Sequence, residues 1–255
     1  MNPITGEKFQ TINGIEYSHT HGARNKFEEI RKINKRVILI THNSDGKIKH
    51  NPDKNGVDPD DVPKNIAMWY GKNVCVCRKN IIPIPIGLEN SYCCPNEHKT
   101  EKILELAFAK IERRGLLYIN HNIDTNVNER FLLYNMFDWA TKKRGHNPWR
   151  FDAYIMDLKE HMFVLSPEGN GTDTHRTWEA LYLGCIPILK RNVITDFFED
   201  KLPILVVDSW SEINQDYLLN EYNRIQKTST YDMKYLDFNF WRKEIECQVN
   251  LIKTQ

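Results

Sequence analysis

The chain alternates short runs of β-branched and aliphatic residues with stretches whose apolar positions recur every three or four residues. That alternation predicts parallel strands joined by crossover helices. In the first half, residues 14–18 read as a short strand and 24–33 as a helix. Residues 36–41 form a continuous apolar run, the pattern of a strand buried on both faces, and open into the polar loop 42–46. After an Asp-, Asn- and Pro-rich loop over 49–63 come a short helix near 64–70, a strand over 74–77, and the run 81–86. Pro83 and Pro85 make that run an edge strand or an extended connector. Residues 99–113 place Ile103, Leu106, Ala107 and Ile111 at helical spacing, with Gly115 as the stop, and read as the link between two lobes. The second half predicts strands at 116–119, 162–165, 185–189 and 204–207, a long helix over about 126–143, and a terminal helix on Trp241, Ile245, Val249 and Ile252. The expectation is an α/β chain of two Rossmann-like lobes around a cleft, closed by the C-terminal helix. Its divisions are a reduced N-terminal lobe over 1–98, a linking helix over 99–114, a larger lobe over 115–230, and the closing helix over 231–255.

Composition changes this picture little. The chain has 255 residues, and its 35 basic and 34 acidic residues leave a formal net charge of +1. That balance argues against nucleic acid or an anionic membrane as partner, and the basic run 142–144 reads as a solvated helix end. The first residues lack the layout of a signal peptide and no stretch reaches the ~20 apolar residues of a membrane span, so a cytoplasmic location is expected. Six cysteines suit a reducing compartment. Cys75, Cys77, Cys93, Cys94 and His98 invite a zinc reading, but neither spacing fits a two-residue knuckle and 75–77 lies on the apolar run, so buried free thiols are expected and no metal.

The informative stretch is 166–188, which reads strand end, Gly-rich loop, helix, Gly cap and strand. Asp173 is read as the N-cap, Gly184 as the residue just past the helix end, and Trp178, Leu181, Tyr182 and Cys185 as core. His175 and Arg176 fall in the first turn, where the helix dipole disfavours positive charge unless an anion is bound. A helix N-terminus behind a glycine loop is a phosphate site, and an arginine adds a two-pronged donor. The candidate anion-binding set is therefore Ser166, Gly169, Asn170, Gly171, Thr172, Asp173, Thr174, His175 and Arg176, with Glu179 one turn on to accept from ribose hydroxyls. The alternative is that Arg176 and Glu179, three apart, pair with each other on a solvated face.

Ser166-Pro167, Arg176, Glu179-Ala180 and Gly184-Cys185-Ile186-Pro187 resemble the donor-binding motif of exostosin-type glycosyltransferases, family 47 and its relatives. Segments 40–45, 84–89 and 117–125, the last leading to Glu129-Arg130, are also similar to exostosin-like proteins, so the likeness spans roughly residues 36–190. The resemblance implies a GT-B fold and transfer of a sugar from a nucleoside-diphosphate donor, UDP- or GDP-linked, to a hydroxyl of a glycan or glycoconjugate. It further implies inversion at the anomeric carbon, no cofactor, no metal for the diphosphate, Arg176 on the diphosphate and Glu179 on the ribose.

An inverting transfer needs a base on the lobe facing Arg176. The loop after the 36–41 strand offers Asp45 and His42, with His19 and His21 as outsiders; the alternative is that Asp45 and Gly46 simply form a turn and His42 is a polar strand cap. Neither that loop nor the one after Ile119 has a dinucleotide fingerprint, and Asp58-Pro59-Asp60-Asp61 reads as a solvated turn, not as a metal-binding Asp-x-Asp. The non-enzymatic rival is a degenerate lobe pair that binds a nucleotide sugar or glycan without turnover.

Overall fold

A computed structural model describes residues 1–93, 97–143 and 151–254. The chain divides into two compact units. One comprises Met1–Asn90, Gly171–Asp173 and Lys234–Gln255; the other comprises Ser91–Asn170 and Thr174–Met233. Each is a mixed α/β unit built on a sheet whose strand pairings are all parallel.

The first unit orders its strands β1 (Glu16–His19), β2 (Val37–His42), β3 (Ile66–Gly71) and β4 (Ile81–Pro83) in sequence. β2 is buried at every position, as its unbroken apolar run requires of a central strand covered on both faces. Helix α1 (Gly6–Phe9) and the last helix, Phe238–Lys253, pack on β2, and α2 (Ala23–Arg31) packs on β1. Phe27 of α2 meets Trp69 edge-on, and the Trp69 indole donates to Thr41 Oγ1 at 2.8 Å. Trp241, Ile245 and Val249 are buried, as the terminal repeat predicts.

Two expectations for this half are corrected. Residues 64–70 are not a helix but hold β3, because Ile66–Gly71 is paired on both edges, by β2 and by β4. Sheet pairing outweighs the helical preference of its Ala and Met. Residues 74–77 are not a strand: Asn73 takes a left-handed φ of 55° and turns the chain, and Val74 makes only an isolated bridge to Ile48. β4 is the edge strand, where Pro83 has no neighbour to serve.

The second unit orders its strands β6 (Thr141–Lys142), β5 (Gly115–Ile119), β7 (His161–Leu165), β8 (Ile186–Lys190) and β9 (Leu205–Val207). Leu117, Phe163 and Ile186 stand in register across it, as do Leu165, Ile188 and Leu205. This face forms the core with Leu133 and Phe137 and with Leu218 and Ile225 of the helix Gln215–Lys227. Helices α5 (Phe151–Glu160) and α6 (His175–Tyr182) contact the sheet at β7 and β8, and α3 (Lys99–Ala107) packs on both of them.

Here too two boundaries move. Helix α3 stops at Ala107 and not near Arg113; residues beyond it run out to Arg113, whose guanidinium donates to the carbonyls of Lys159, His161, Leu183 and Gly184. The long helix expected to residue 143 is α4 (Val127–Met136), ended where Phe137 leaves helical geometry to enter the core. Residues 141–142 then pair with β5 as β6, so Lys142 and Lys143 do not end a helix; they pair with Asp138 and Asp157, and Arg144 lies outside the described residues. Among the described residues no helix is long and apolar enough to cross a membrane.

Candidate anion-binding site

Strand order singles out a candidate site in the second unit before any side chain is considered. From β5 the chain passes through α4 to the edge strand β6, then returns to β7 on the other side of β5. The loops leaving β5 and β7 therefore diverge to opposite faces, and ligands of open parallel sheets bind beyond the strand carboxyl ends at such a reversal. The loop after β5 carries Asn120 and His121; the loop after β7 carries Ser166, Gly169 and Asn170 and leads into α6.

Two guanidiniums meet there. Arg130 of α4 is buried and donates to four oxygens: Nε to Glu168 carbonyl at 2.8 Å, Nη2 to Pro167 carbonyl at 3.0 Å, and Nη1 to Asn122 carbonyl at 2.9 Å and Thr125 Oγ1 at 2.6 Å. It thus ties the loop after β5 to the loop after β7. Arg176, at the second position of α6, donates from Nη2 to the Asn120 carbonyl, and its Nε is buried without a partner. Among the described residues neither arginine forms a salt bridge. Burial, and then the charge of Arg176, push the Arg130 pKa down to about 10 against the opposing pull of Glu129. A buried cation and a half-buried one, each hydrogen-bonded only to neutral oxygens among the described residues, favour an anion there.

Replacing Arg130 by Met should remove those four bonds, leave carbonyl acceptors buried, and cost about 2–4 kcal/mol of stability. Urea denaturation checks this, and a lower midpoint at unchanged slope is the expected result.

Helix α6 starts one residue later than expected. Thr174, not Asp173, is its N-cap, and the Thr174 side chain makes no capping hydrogen bond. Ser166 Oγ bonds Thr174 Oγ1 at 3.1 Å and Thr177 Oγ1 at 2.9 Å, fixing the helix start to the end of β7. Asn170 is exposed and His175 half-buried. Gly184 takes φ of 71° beyond the helix end, and Trp178, Leu181, Tyr182 and Cys185 are core, as read from sequence.

Glu179 does not pair with Arg176. Its Oε2 accepts from the buried Tyr154 hydroxyl at 2.7 Å, and burial, with Glu179 adding to it, raises the Tyr154 pKa well above the ordinary value. Tyr154 therefore stays a donor and orients the carboxylate. Nothing in the sequence marks Tyr154, which reaches Glu179 only through the packing of α5. Arg130 and His121 lie in segments quoted for the exostosin resemblance, but without a role.

The remaining loop residues belong to the first unit. The Asp173 N–H donates to Asn73 Oδ1 at 2.9 Å, and Asp173 Oδ2 accepts from Ile86 N–H at 2.7 Å. Thr172 Oγ1 lies 3.5 Å from Cys75 Sγ, and a Cβ on Gly171 would meet the Asn73 amide at 2.7 Å. Asp173 is thus a loop anchor whose carboxylate accepts from the backbone of Ile86.

His42 and Asp45 also sit in the first unit, with different fates. His42 is buried and stacked on Phe9; its Nδ1 accepts from Asn43 N–H at 2.8 Å and its Nε2 lies 2.9 Å from the Pro85 carbonyl. Both ring nitrogens are committed, so His42 is a core histidine. Asp45 is exposed and 3.6 Å from the ammonium of buried Lys72, whose pKa is lowered by burial against the pull of Asp45 and Asp173. His19 Nδ1 contacts the Asn43 carbonyl at 2.9 Å, His21 Nδ1 contacts Ser44 Oγ at 3.2 Å, and the exposed rings stack.

The cysteine expectation holds only in part. Cys185 is buried and Cys75 half-buried; Cys77 is exposed because 74–77 is not a buried strand, Cys93 is also exposed, and Cys94 lies outside the described residues. His50, Asp58 and Asp60 cluster on an exposed turn, with Asp58 bonding the Asn51 and Asp60 N–H groups and Asp60 paired with Arg78. These carboxylates already serve the turn, in keeping with the reading of 58–61 as solvated.

No protein-family model matches the chain, and no curated protein does. The likeness to exostosin-type enzymes therefore rests on the motif residues themselves.

Proposed function

We propose that the chain is a glycosyltransferase of GT-B type, taking a UDP- or GDP-linked sugar and passing it to a hydroxyl of a glycan or glycoconjugate. The observation that carries the reading is the arginine pair beside the carboxyl ends of β5 and β7, without salt-bridge partners among the described residues and beside the start of α6, whose N-cap side chain makes no capping bond. A diphosphate brings negative charge, and Arg176 offers Nε to its oxygens. Tyr154 occupies one oxygen of Glu179, and we assign the other to ribose hydroxyls.

In the reaction, the acceptor oxygen attacks the anomeric carbon from the face opposite the diphosphate and the bond to phosphate breaks. The charge left on the diphosphate falls to Arg176 and the α6 dipole. The acceptor proton goes to a base, for which Asp45 is our assignment. No step needs a metal, since the helix terminus and the arginines already supply positive potential.

The test is calorimetric titration with UDP and GDP in excess EDTA, followed by transfer or slow hydrolysis of the bound donor. Binding and turnover should persist in chelator; loss that manganese restores would overturn the metal-free assignment. One observation favours a second reading, a nucleotide-sugar-binding protein without turnover: His42 is locked in the core and cannot serve as base. Donor binding with neither hydrolysis nor transfer would establish that alternative.

A further inference from the structure

We propose that His121 is a ligand-binding residue of this site, its Nδ1 accepting a hydrogen bond from a hydroxyl of the nucleotide sugar while Arg176 holds the phosphates. The inference rests on the functional reading above and names how the site tells a sugar-bearing ligand from a bare diphosphate.

His121 lies two residues beyond β5 and is 2% exposed. Its Nε2 is 2.9 Å from the Arg130 carbonyl. A carbonyl can only accept, so Nε2 carries the hydrogen and the neutral ring leaves Nδ1 as an acceptor. That Nδ1 is buried and has no partner. Arg176 of α6 bonds the carbonyl of Asn120, the residue before His121, and among the described residues its Nε is likewise a buried polar atom without a partner. One orphan is an acceptor and the other a donor. Leaving either unsatisfied costs about 1–3 kcal/mol, and such groups persist where a ligand completes them.

The acceptor cannot change its character. Burial first, and then the charges of Arg176 and Arg130, push the His121 pKa to about 4, so at neutral pH the ring does not gain a second N–H. An ionised phosphate oxygen has no proton to offer Nδ1 and meets only its lone pair. A hydroxyl does have one. Together, an acceptor for O–H and a donor for an anionic oxygen match a phosphorylated ribose or sugar. Both atoms are closed to solvent, and Arg176, half-exposed and held by one bond to a carbonyl, is the side chain whose shift would admit the ligand.

The experiment measures UDP, UDP-glucose and inorganic pyrophosphate binding by calorimetry on the full chain and two variants. Gln at this position keeps a donor near the place of Nε2 but lacks the Nδ1 acceptor, whereas Asn keeps a polar group near Nδ1 and loses the bond to the Arg130 carbonyl. H121Q should keep a near wild-type thermal midpoint, bind UDP or UDP-glucose about 10-fold more weakly, and bind pyrophosphate within about twofold of wild type. H121N should recover part of the lost affinity. A deficit with UDP assigns the hydroxyl to the ribose, and one seen only with UDP-glucose assigns it to the transferred sugar. Unchanged affinities in H121Q, or an equal loss for all three probes, would overturn the proposal and leave His121 as a prop for Arg130. If the wild-type chain binds GDP and not UDP, the same comparison is made with GDP and GDP-mannose; a chain that binds neither nucleotide overturns the functional reading itself, a distinct result.

Discussion

Arg176→Ala should weaken UDP or GDP binding on the order of 100-fold, about 2.7 kcal/mol, while leaving the fold intact. The two halves of that expectation have separate causes. Among the described residues the Arg176 side chain makes a single hydrogen bond, to the Asn120 carbonyl, so its removal costs stability only about 1 kcal/mol. Toward a diphosphate it supplies a partly desolvated, two-pronged donor at the start of α6, and Arg130 cannot replace it because four of its five N–H donors are spent on the loops after β5 and β7. Arg176→Lys should recover little, since an ammonium keeps the charge and loses the fork. Calorimetric titration of wild type and both variants checks this, with urea denaturation as the control. Equal affinities for wild type and Arg176→Ala would remove the site assignment.

The parallel sheets were legible because their strands are buried on both faces and so appear as unbroken apolar runs. β2, β5, β7, β8 and β9 all fall within one or two residues of where pattern alone puts them. β3 was not legible: Ile66-Ala67-Met68-Trp69-Tyr70 suits a helix or a strand, and only its neighbours on both edges decide. That error carried into the site. With a helix placed at 64–70, neither buried Lys72 nor left-handed Asn73 could be seen as the end of a strand, although both hold the loop partners Asp45 and Asp173. Arg176 and Glu179 announced themselves through helical spacing behind a glycine loop. Tyr154 and Arg130 did not, because each acts over a sequence distance that only packing closes, 25 residues to Glu179 and 38 to the Glu168 carbonyl. His42 misled for the same reason: a polar residue at a strand end looks available until Phe9, Asn43 and Pro85 surround it.

Asp45→Asn should lower the transfer rate by about 10²–10⁴-fold with donor affinity unchanged, the signature of a lost general base and not of a lost binding group. Asp45 suits the role by position and setting. It lies in the loop beyond the carboxyl end of β2, its carboxylate is exposed, and the buried ammonium of Lys72 at 3.6 Å holds one of its oxygens. That contact fixes the carboxylate without closing it to an acceptor hydroxyl. Asn keeps the shape and removes the proton acceptor, so a fold defect should not accompany the rate loss. The competing group is His19, whose Nδ1 is tied to the Asn43 carbonyl and whose Nε2 is then the lone-pair nitrogen of the neutral ring. Rates and nucleotide affinities of Asp45→Asn and His19→Ala, measured side by side, separate the two. Wild-type turnover in Asp45→Asn with loss in His19→Ala would move the base to the end of β1, and wild-type turnover in both would remove it from this edge of the sheet.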